Sequence, residues 1–428
     1  MLSRMEHDSI GALNVPAEAY YGVQSMRAAT NFQITHRPLH PVLIDSIVMV
    51  KKAAAITNEK SGKLDQQIAQ AIIKACDEIL DGNLRDQFIV DAIQGGAGTS
   101  ANMNANEVIA NRAIEILGGT KGDYSIVHPN DHVNMSQSTN DVIPTAGKIT
   151  VLKLLPQTIK ELEKLEKAME EKEAEFDDIL KMGRTQLQDA VPMRLGQSFG
   201  AFAHVLKRDI KRLKNVMDEM KVLNIGATAI GTAINVAPYY LANISYELSK
   251  VAGISLKQAD DLIDATQNLD GFVSVSGVLK TCAVDISKIS NDLRLMSFGP
   301  RTGLSEINLP ARQNGSSIMP GKINPVIPEV VSQVVYLIIG HDYTITMAAE
   351  AGQCEKYIEK SVGISTALCP YIGYAKSAEI AKKSLKTGIS VKELVLEEGL
   401  LNEKELKEIL KPEKMTQLMR EKVMKAVS

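Results

Sequence analysis

The sequence predicts a mainly α-helical protein built around long helices. Small and aliphatic residues must carry the packing, because the chain is 45% hydrophobic but only 4% aromatic and has no tryptophan. Beyond residue 144, apolar residues recur at steps of three and four, which is the spacing of amphipathic helices. A helix of about 30 residues is roughly 45 Å long, too long for one small domain, so we expect a bundle shared between subunits.

Residues 1–140 are predicted to form a mostly helical N-terminal domain. One helix is expected over 65–81, where the apolar residues share one side. Another is expected to begin in the glycine-rich segment 94–100 and to run towards Leu117.

Residues 141–353 are predicted to form the central bundle, and 354–428 a small helical C-terminal domain. Long helices are expected over 144–181, with a kink at Pro156, and over 191–221. The other helices are predicted at 238–252, at 259–296, from Asn324 towards Ala351, at 391–398 and at 403–410.

Composition and charge exclude several classes of function. Lys and Arg number 48 against 51 Asp and Glu, so the net charge of −3 offers no basic field to nucleic acid or an anionic membrane. No apolar stretch is long enough to span a membrane, and the start MLSRMEHDSI lacks a signal-peptide run, so a cytoplasmic protein is expected. The four cysteines show no CxxC spacing, which predicts reduced thiols.

The segment GSSIMPGKINP at 315–325, here named the lid, combines features that carboxylate chemistry requires. Its two glycines permit backbone conformations closed to branched residues, so the segment could close over a ligand while carrying Ser316 and Ser317.

The end of the lid is predicted to start a helix. Lys322 supplies a positive charge, Asn324 suits an N-cap and Pro325 suits the first helical position. An anionic substrate would find exposed N–H groups and a positive dipole end there.

A second polar segment, SQSTND at 136–141, precedes the first long helix. Capping requires one small polar residue, which Ser138, Thr139, Asn140 or Asp141 could supply. The surplus of hydrogen-bond donors at a helix N-terminus is suited to a carboxylate.

Two further segments allow a structural or a functional interpretation. The glycine-rich segment 94–100 lacks the lysine spacing of a nucleotide-binding loop, but Thr99 and Ser100 could offer hydroxyls to a ligand. The polar turn GRTQLQD at 183–189 is either a simple helix hairpin or part of a site.

His128 and His132 lie four residues apart, as metal ligands on a helix would. Pro129 and Asn130 favour a loop instead, so no metal site is predicted.

In their order along the chain, GGAGTSANMNANE, SQSTND, GRTQLQDAVP and GSSIMPGKINP resemble the motifs of the aspartase/fumarase superfamily. The last fits the signature GSSxMPxKxNP without a mismatch. Within the superfamily the chain is most similar to the aspartases, because Gln186 stands where fumarases have histidine and the helix after the lid reads NPVIPEVV. The resemblance implies a three-domain, mainly α fold with a central bundle shared in a homotetramer.

The resemblance also implies an activity, namely the reversible deamination of L-aspartate to fumarate and ammonia through an aci-carboxylate intermediate. No cofactor or metal is expected. Ser316 takes the position of the base, and His128 that of a second anion site. The residues implied in binding the dicarboxylate are Thr99, Ser138, Thr139, Asn140, Thr185, Gln186, Lys322 and Asn324.

Two alternatives remain open. One is fumarate hydratase, which acts on malate and fumarate. The other follows from a difference after Gln353, where about one long bundle helix of the family is missing from this chain. If this is a true deletion, the chain could be a catalytically impaired helical scaffold.

Overall fold

The computed structural model describes residues 2–351 and 367–410. Helices dominate these residues, which confirms the predicted mainly α class. The helices are α1 (Val23–Asn31), α2 (Pro41–Lys60), α3 (Gln66–Leu80), α4 (Thr99–Ile116), α5 (Thr139–Glu175), α6 (Leu195–Met220), α7 (Pro238–Ala252), α8 (Leu262–Gln267), α9 (Asp270–Ser297), α10 (Val326–Ala351), α11 (Cys369–Ile372), α12 (Tyr374–Thr387), α13 (Val391–Glu397) and α14 (Glu403–Ile409).

Six short strands accompany the helices. They are β1 (Ser3–Asp8), β2 (Gly11–Pro16), β3 (Leu180–Thr185), β4 (Gln188–Arg194), β5 (Val222–Leu223) and β6 (Lys257–Gln258). They form three separate pairs, of which β1–β2 and β3–β4 are antiparallel and β5–β6 is parallel. None of these pairs is expected from the sequence.

Several predicted helices are confirmed together with the local signals that bound them. Asp65 caps α3, since its carboxylate accepts hydrogen bonds from the N–H groups of Gln67 and Ile68 at 2.8 and 3.2 Å. Both α13 and α14 begin with a capping box, formed by Ser390 with Glu393 and by Asn402 with Glu405.

The predicted bounds of the long helices are wrong in three places. The first, α5, begins inside SQSTND and ends before residue 181, because strand β3 follows it. Strand β4 likewise delays the start of α6 to Leu195. The single helix predicted at 259–296 is two helices, since Asn268 adopts extended backbone angles and ends α8.

The turn at 183–189 is the tip of a β-hairpin, so the alternative of a helix hairpin is wrong. Thr185 pairs with Gln188 across the two strands. Between them Gln186 and Leu187 both have positive φ, 53° and 62°, as a two-residue type I′ turn requires. Residues other than glycine rarely adopt this conformation, so the hairpin tip is locally strained.

The described residues divide into two compact units. The first comprises 2–150, 221–268 and 367–410, and in it α2 packs against α3 and α7, while α4 packs against α1 and α3. Near its C-terminal end, Leu368, Ile380 and Leu406 belong to a small buried cluster. The second unit comprises 151–220 and 269–351, and in it α9 packs against α6 and α10. The division at 140 and 353 stays a prediction, and the junction after Gln353 lies outside the described residues.

None of the described helices has the combination of length and apolar character needed to cross a membrane.

Candidate functional site

The residues implied in catalysis and binding fall into two groups, one in each unit. The first unit carries Thr99, His128, Ser138, Thr139 and Asn140, and the second carries Thr185, Gln186, Ser316, Lys322 and Asn324.

In the first unit, the start of α5 is capped reciprocally. The N–H of Asn140 donates to the Ser138 hydroxyl at 3.3 Å, and the N–H of Ser138 donates to the Asp141 carboxylate at 2.8 Å. Ser138 and Asp141 therefore supply the cap expected within SQSTND. The side chains of Thr139 and Asn140 take no part in it.

A loop at 224–229, which no motif in the sequence points to, lies against the same helix start. The Asn140 amide donates to the carbonyl of Ala229 at 2.7 Å, and the buried Asp141 carboxylate accepts from Gly226 N–H at 3.1 Å and Thr228 N–H at 3.0 Å. Burial raises the pKa of Asp141 to about 7, although these backbone hydrogen bonds act in the opposite direction. The loop is thus held in place by two consecutive residues of α5.

The glycine-rich segment brings the start of α4 close to α5. Thr99 is the first residue of α4, and its hydroxyl donates to the carbonyl of Gly96 at 2.7 Å. Gly98 has a φ of +87°, and a Cβ there would lie 2.9 Å from Ile143 of α5. One turn into α4, the Asn102 amide donates to the Thr139 hydroxyl at 3.3 Å. Two helix N-termini, each with a positive dipole end, are thereby joined.

His128 precedes a single π-helical turn, Pro129–Val133, where a loop had been expected. Its Nδ1 accepts from the N–H groups of Asn130 and Asp131 at 3.2 and 3.1 Å. Burial lowers the pKa of His128 despite the nearby Asp131 carboxylate. Among the described residues no hydrogen bond joins His128 to Ser138, Thr139 or Asn140, so its proposed role as a second anion site stays a prediction.

In the second unit, the lid is a closed loop. Gly315 N–H donates to the carbonyl of Lys322 at 2.7 Å, and the Asn324 amide donates to the carbonyl of Gly315 at 3.1 Å. A Cβ on Gly315 would lie 2.7 Å from Asn324, and Gly321 has a φ of +77°, so both glycines are required by the geometry.

The predicted start of α10 is wrong in two respects. The helix begins at Val326, one residue after Pro325, and the Asn324 side chain closes the lid instead of capping the helix. Lys322 is exposed and forms no ion pair with the part of the chain that the structure describes.

The hydroxyl of Ser316 is held by two backbone donors of the lid. It accepts hydrogen bonds from Ile318 N–H at 3.2 Å and Met319 N–H at 2.9 Å. Two backbone donors on one oxygen favour its negatively charged form, which is the form that a serine base requires.

Thr185 and Gln186 are exposed at the tip of the β3–β4 hairpin. Its first strand is anchored by Glu306, which pairs with Arg184 at 2.5 Å and with Lys181 at 2.9 Å. The hairpin therefore presents Thr185 and Gln186 on a short, braced projection.

The first unit also contains a buried cation that the sequence motifs do not predict. Lys51 of α2 has no exposed surface, and its ammonium contacts amide oxygens of Asn102, Asn134 and Gln137. The sequence contains two weak indications of this buried cation. One is the Lys51–Lys52 pair within an otherwise apolar stretch, and the other is the asparagine-rich start of α4.

In the described residues no three His, Cys, Asp or Glu side chains form a group that could hold a metal ion.

Comparison with known proteins places the chain in a family. A family model described as "Lyase" matches residues 11–340, and a second, "Fumarase C C-terminus", matches 364–417. The chain therefore belongs to this lyase family, the aspartase/fumarase superfamily.

Its relatives include three bacterial aspartate ammonia-lyases. The chain is 49% identical to one from Bacillus sp. (96% of this chain, 97% of the relative), 48% to that of Bacillus subtilis strain 168 (96% and 96%) and 46% to that of Escherichia coli K12 (95% and 94%).

Two solved structures are similar throughout. A fumarate lyase:delta crystallin from Brucella melitensis, bound to cobalt, has a TM-score of 0.81 and 46% identity over 97% of this chain and 99% of that one. A class II fumarase from Schistosoma mansoni has a TM-score of 0.79 and 32% identity over the same shares. They confirm the aspartase/fumarase-like fold.

The relatives also hold residues without a counterpart here. The alignment with the Bacillus sp. enzyme runs over 455 residues, more than the 428 of this chain. The two matched regions leave 341–363 between them, and the junction after Gln353 falls in that interval.

Proposed function

We propose that this protein is an aspartate ammonia-lyase that converts L-aspartate reversibly to fumarate and ammonia. The observation that carries the proposal is the environment of Ser316, whose hydroxyl accepts two backbone N–H groups within the closed lid. Relatives named aspartate ammonia-lyase at 46–49% identity favour this substrate over malate.

The reaction requires a base and a site for two carboxylates. Ser316 removes a proton from the carbon beside the β-carboxylate, and the electron pair passes into that carboxylate as an aci form. The pair then forms the carbon–carbon double bond as the carbon–nitrogen bond breaks and ammonia leaves. Each prepositioned donor to the doubly negative intermediate is worth on the order of 10²- to 10³-fold in rate.

The binding roles follow from charge and hydrogen-bonding capacity. Lys322 and Asn324 bind substrate carboxylate at the lid, and Thr99, Ser138, Thr139 and Thr185 donate hydrogen bonds around the rest. Asn140 and Gln186 contact the amino group. Support comes from the exposed Lys322 ammonium and from the joined N-termini of α4 and α5, which favour an anion.

The substrate is tested with two separate assays on the purified full chain, which follow the ultraviolet absorbance of fumarate. We expect fumarate to appear with L-aspartate and not with L-malate. Fumarate from malate alone would assign the chain as a fumarate hydratase. A folded protein that acts on neither substrate would be the catalytically impaired helical scaffold. That alternative follows from the residues that the relatives have and this chain lacks.

We also propose a cytoplasmic homotetramer. Its support is a stripe of exposed apolar side chains on α10, at the helical spacing of three and four residues, formed by Ile327, Val330, Val334 and Leu337. Sedimentation equilibrium should give four times the chain mass. Leu337→Lys should dissociate the assembly, whereas Leu385→Lys, at a leucine that is also exposed, should leave it intact. A monomeric wild-type protein would exclude the tetramer.

A further inference from the structure

The buried Lys51 ammonium has as many acceptors as it has protons. Its Nζ lies 2.6 Å from Asn102 Oδ1, 2.8 Å from Asn134 Oδ1 and 2.9 Å from Gln137 Oε1. All three partners are neutral amides. A buried cation with only neutral contacts is costly to maintain, which directs attention to what it does for its neighbours.

The ammonium fixes the orientation of the Asn102 amide. An ammonium carries only donors, and with three acceptors around it the charged form is the one that fits, so the amide atom 2.6 Å away has to be the oxygen. The NH₂ group of Asn102 is then turned away from Lys51, and it donates to Thr139 Oγ1 at 3.3 Å and to Asn134 Oδ1 at 3.2 Å.

This orientation determines the role of the Thr139 hydroxyl. Its oxygen accepts from Asn102, so its own proton is left to donate. No described residue accepts that proton, and Thr139 is half-buried at the first position of α5. A substrate carboxylate offers only acceptors, so it matches a hydroxyl that has become an obligatory donor.

We propose that Lys51 and Asn102 are positioning residues that fix the Thr139 hydroxyl as a hydrogen-bond donor to the substrate carboxylate; this inference rests on the proposed function. Lys51 acts through Asn102, and Asn102 acts through Thr139. Neither touches the substrate.

The charged and titratable groups that act on Lys51 come from two other helices. They are the Asp141 carboxylate of α5 and the Cys76 thiol of α3. Burial lowers the pKa of Lys51 to about 7, and both neighbours act to raise it. Neither contacts the ammonium, so the amide oxygens receive all three of its protons.

Lys51→Met tests the cation but also removes the donor to the buried Asn102 oxygen and to the half-buried Gln137 oxygen, so it lowers stability too. The decisive variant is Asn102→Asp. It keeps an acceptor for Lys51 and forms a buried ion pair, but it has no amide proton to donate. The Thr139 hydroxyl must then donate to the new carboxylate and is lost to the substrate.

We expect Asn102→Asp to stay folded, because its ion pair with Lys51 offsets the lost hydrogen bond to Asn134, while the KM for L-aspartate rises about 10- to 100-fold, the range for a lost hydrogen bond to a charged group. If Lys51 and Asn102 served only to stabilise the fold, the ion pair between Lys51 and the new carboxylate would preserve that role, and KM would not change. Lys52→Met is the matched control, since the neighbouring lysine pairs with Asp77 near the surface, and its KM should not change.

A double-mutant cycle separates this mechanism from simple charge repulsion. In a Thr139→Val background, Asn102→Asp should raise KM no further, because the hydroxyl through which it acts is gone. A second rise of the same size would show that the new charge repels the substrate directly and would overturn the proposal.

Turnover of L-aspartate by the wild type tests the proposed function independently of the cycle. If the wild type does not turn over, the same four proteins are titrated calorimetrically with fumarate. Coupling in fumarate binding then supports the inference, and additive or absent effects reject it.

Discussion

The two groups of site residues are held in place in different ways. In the first unit, Asp141 and Lys51 are buried, and their hydrogen bonds reach across α2, α4, α5 and the 224–229 loop. In the second unit, Lys322 and Gln186 are exposed, and the lid is closed mainly by bonds among its own residues. One group is prepared by tertiary packing and the other by local turns.

The two groups of residues are therefore suited to different tasks. Donors for a carboxylate are most effective when they are fixed before the substrate arrives, which burial achieves. A base that must be shielded from water is better placed on a segment with few external contacts, because such a segment can open and close. Removing a buried group from the first unit should therefore lower the stability of the fold, whereas changes to the exposed residues of the second should alter catalysis or substrate binding and leave the stability unchanged.

The largest effect is expected for Ser316→Ala. Loss of the base should lower kcat by about 10²- to 10⁴-fold with an unchanged melting temperature. Ser317→Ala is the matched control and should stay close to wild type, since the described residues give its exposed side chain no hydrogen bond. Near-normal turnover by Ser316→Ala would assign the base elsewhere.

A smaller effect is expected for Lys322→Met. Removing a cation that binds the substrate carboxylate should raise KM by about 10- to 100-fold. The melting temperature should not change, because the ammonium is exposed and has no ion pair within the described residues. A lowered melting temperature would mean that the second unit is held in place through Lys322 after all.

For Asp141→Ala the expected effect is on stability. Three backbone N–H groups, those of Ser138, Gly226 and Thr228, lose their acceptor in a buried place. We expect a loss of about 2 to 4 kcal/mol in the free energy of unfolding, measured by urea titration. If the free energy of unfolding did not change, the first group of site residues would not depend on buried hydrogen bonds, and the contrast with the second unit would not hold.

The smallest effect is expected at acid pH, from Asp91 beside the glycine-rich segment. Partial burial acts to raise the pKa of Asp91, but hydrogen bonds from Ile93 N–H, the Thr35 hydroxyl and N–H, and His36 N–H outweigh it and lower the pKa to about 2. A depressed pKa stabilises the fold above the unfolded value of about 3.9 and loses this contribution as the pH falls towards 2.

Asp91→Asn should therefore be less stable than wild type at pH 7, and the difference should shrink as the pH falls below about 4. Urea titrations of both proteins across this range provide the measurement. A difference that stays constant with pH would show that the carboxylate charge does not matter.

Much of the helical fold could be predicted because its signals are local. The helix at 65–81 was expected from apolar periodicity, and α3 occupies Gln66–Leu80. The sequence also predicts Ser138 and Asp141 among the candidate caps of α5. This is possible because a cap involves residues only a few positions apart. The motifs also identified the family, because each is a contiguous string.

The errors arose where residues distant in sequence decide the outcome. The 183–189 turn became a β-hairpin because 180–185 pairs with 188–194, a pairing that helical periodicity on either side concealed. Asn324 is predicted to cap α10, but the helix begins at Val326, and the Asn324 amide donates to the carbonyl of Gly315, nine residues earlier in the chain.

By itself the sequence determined the helical class, the family and the residues that carry charge and hydroxyl groups to the site. Only the tertiary structure decided how those groups are oriented. Lys51 contacts Asn102, and Asn102 contacts Thr139, although these three residues are far apart in the chain. The direction of a hydrogen bond depends on which atoms meet in space, and that is settled by packing rather than by any local pattern.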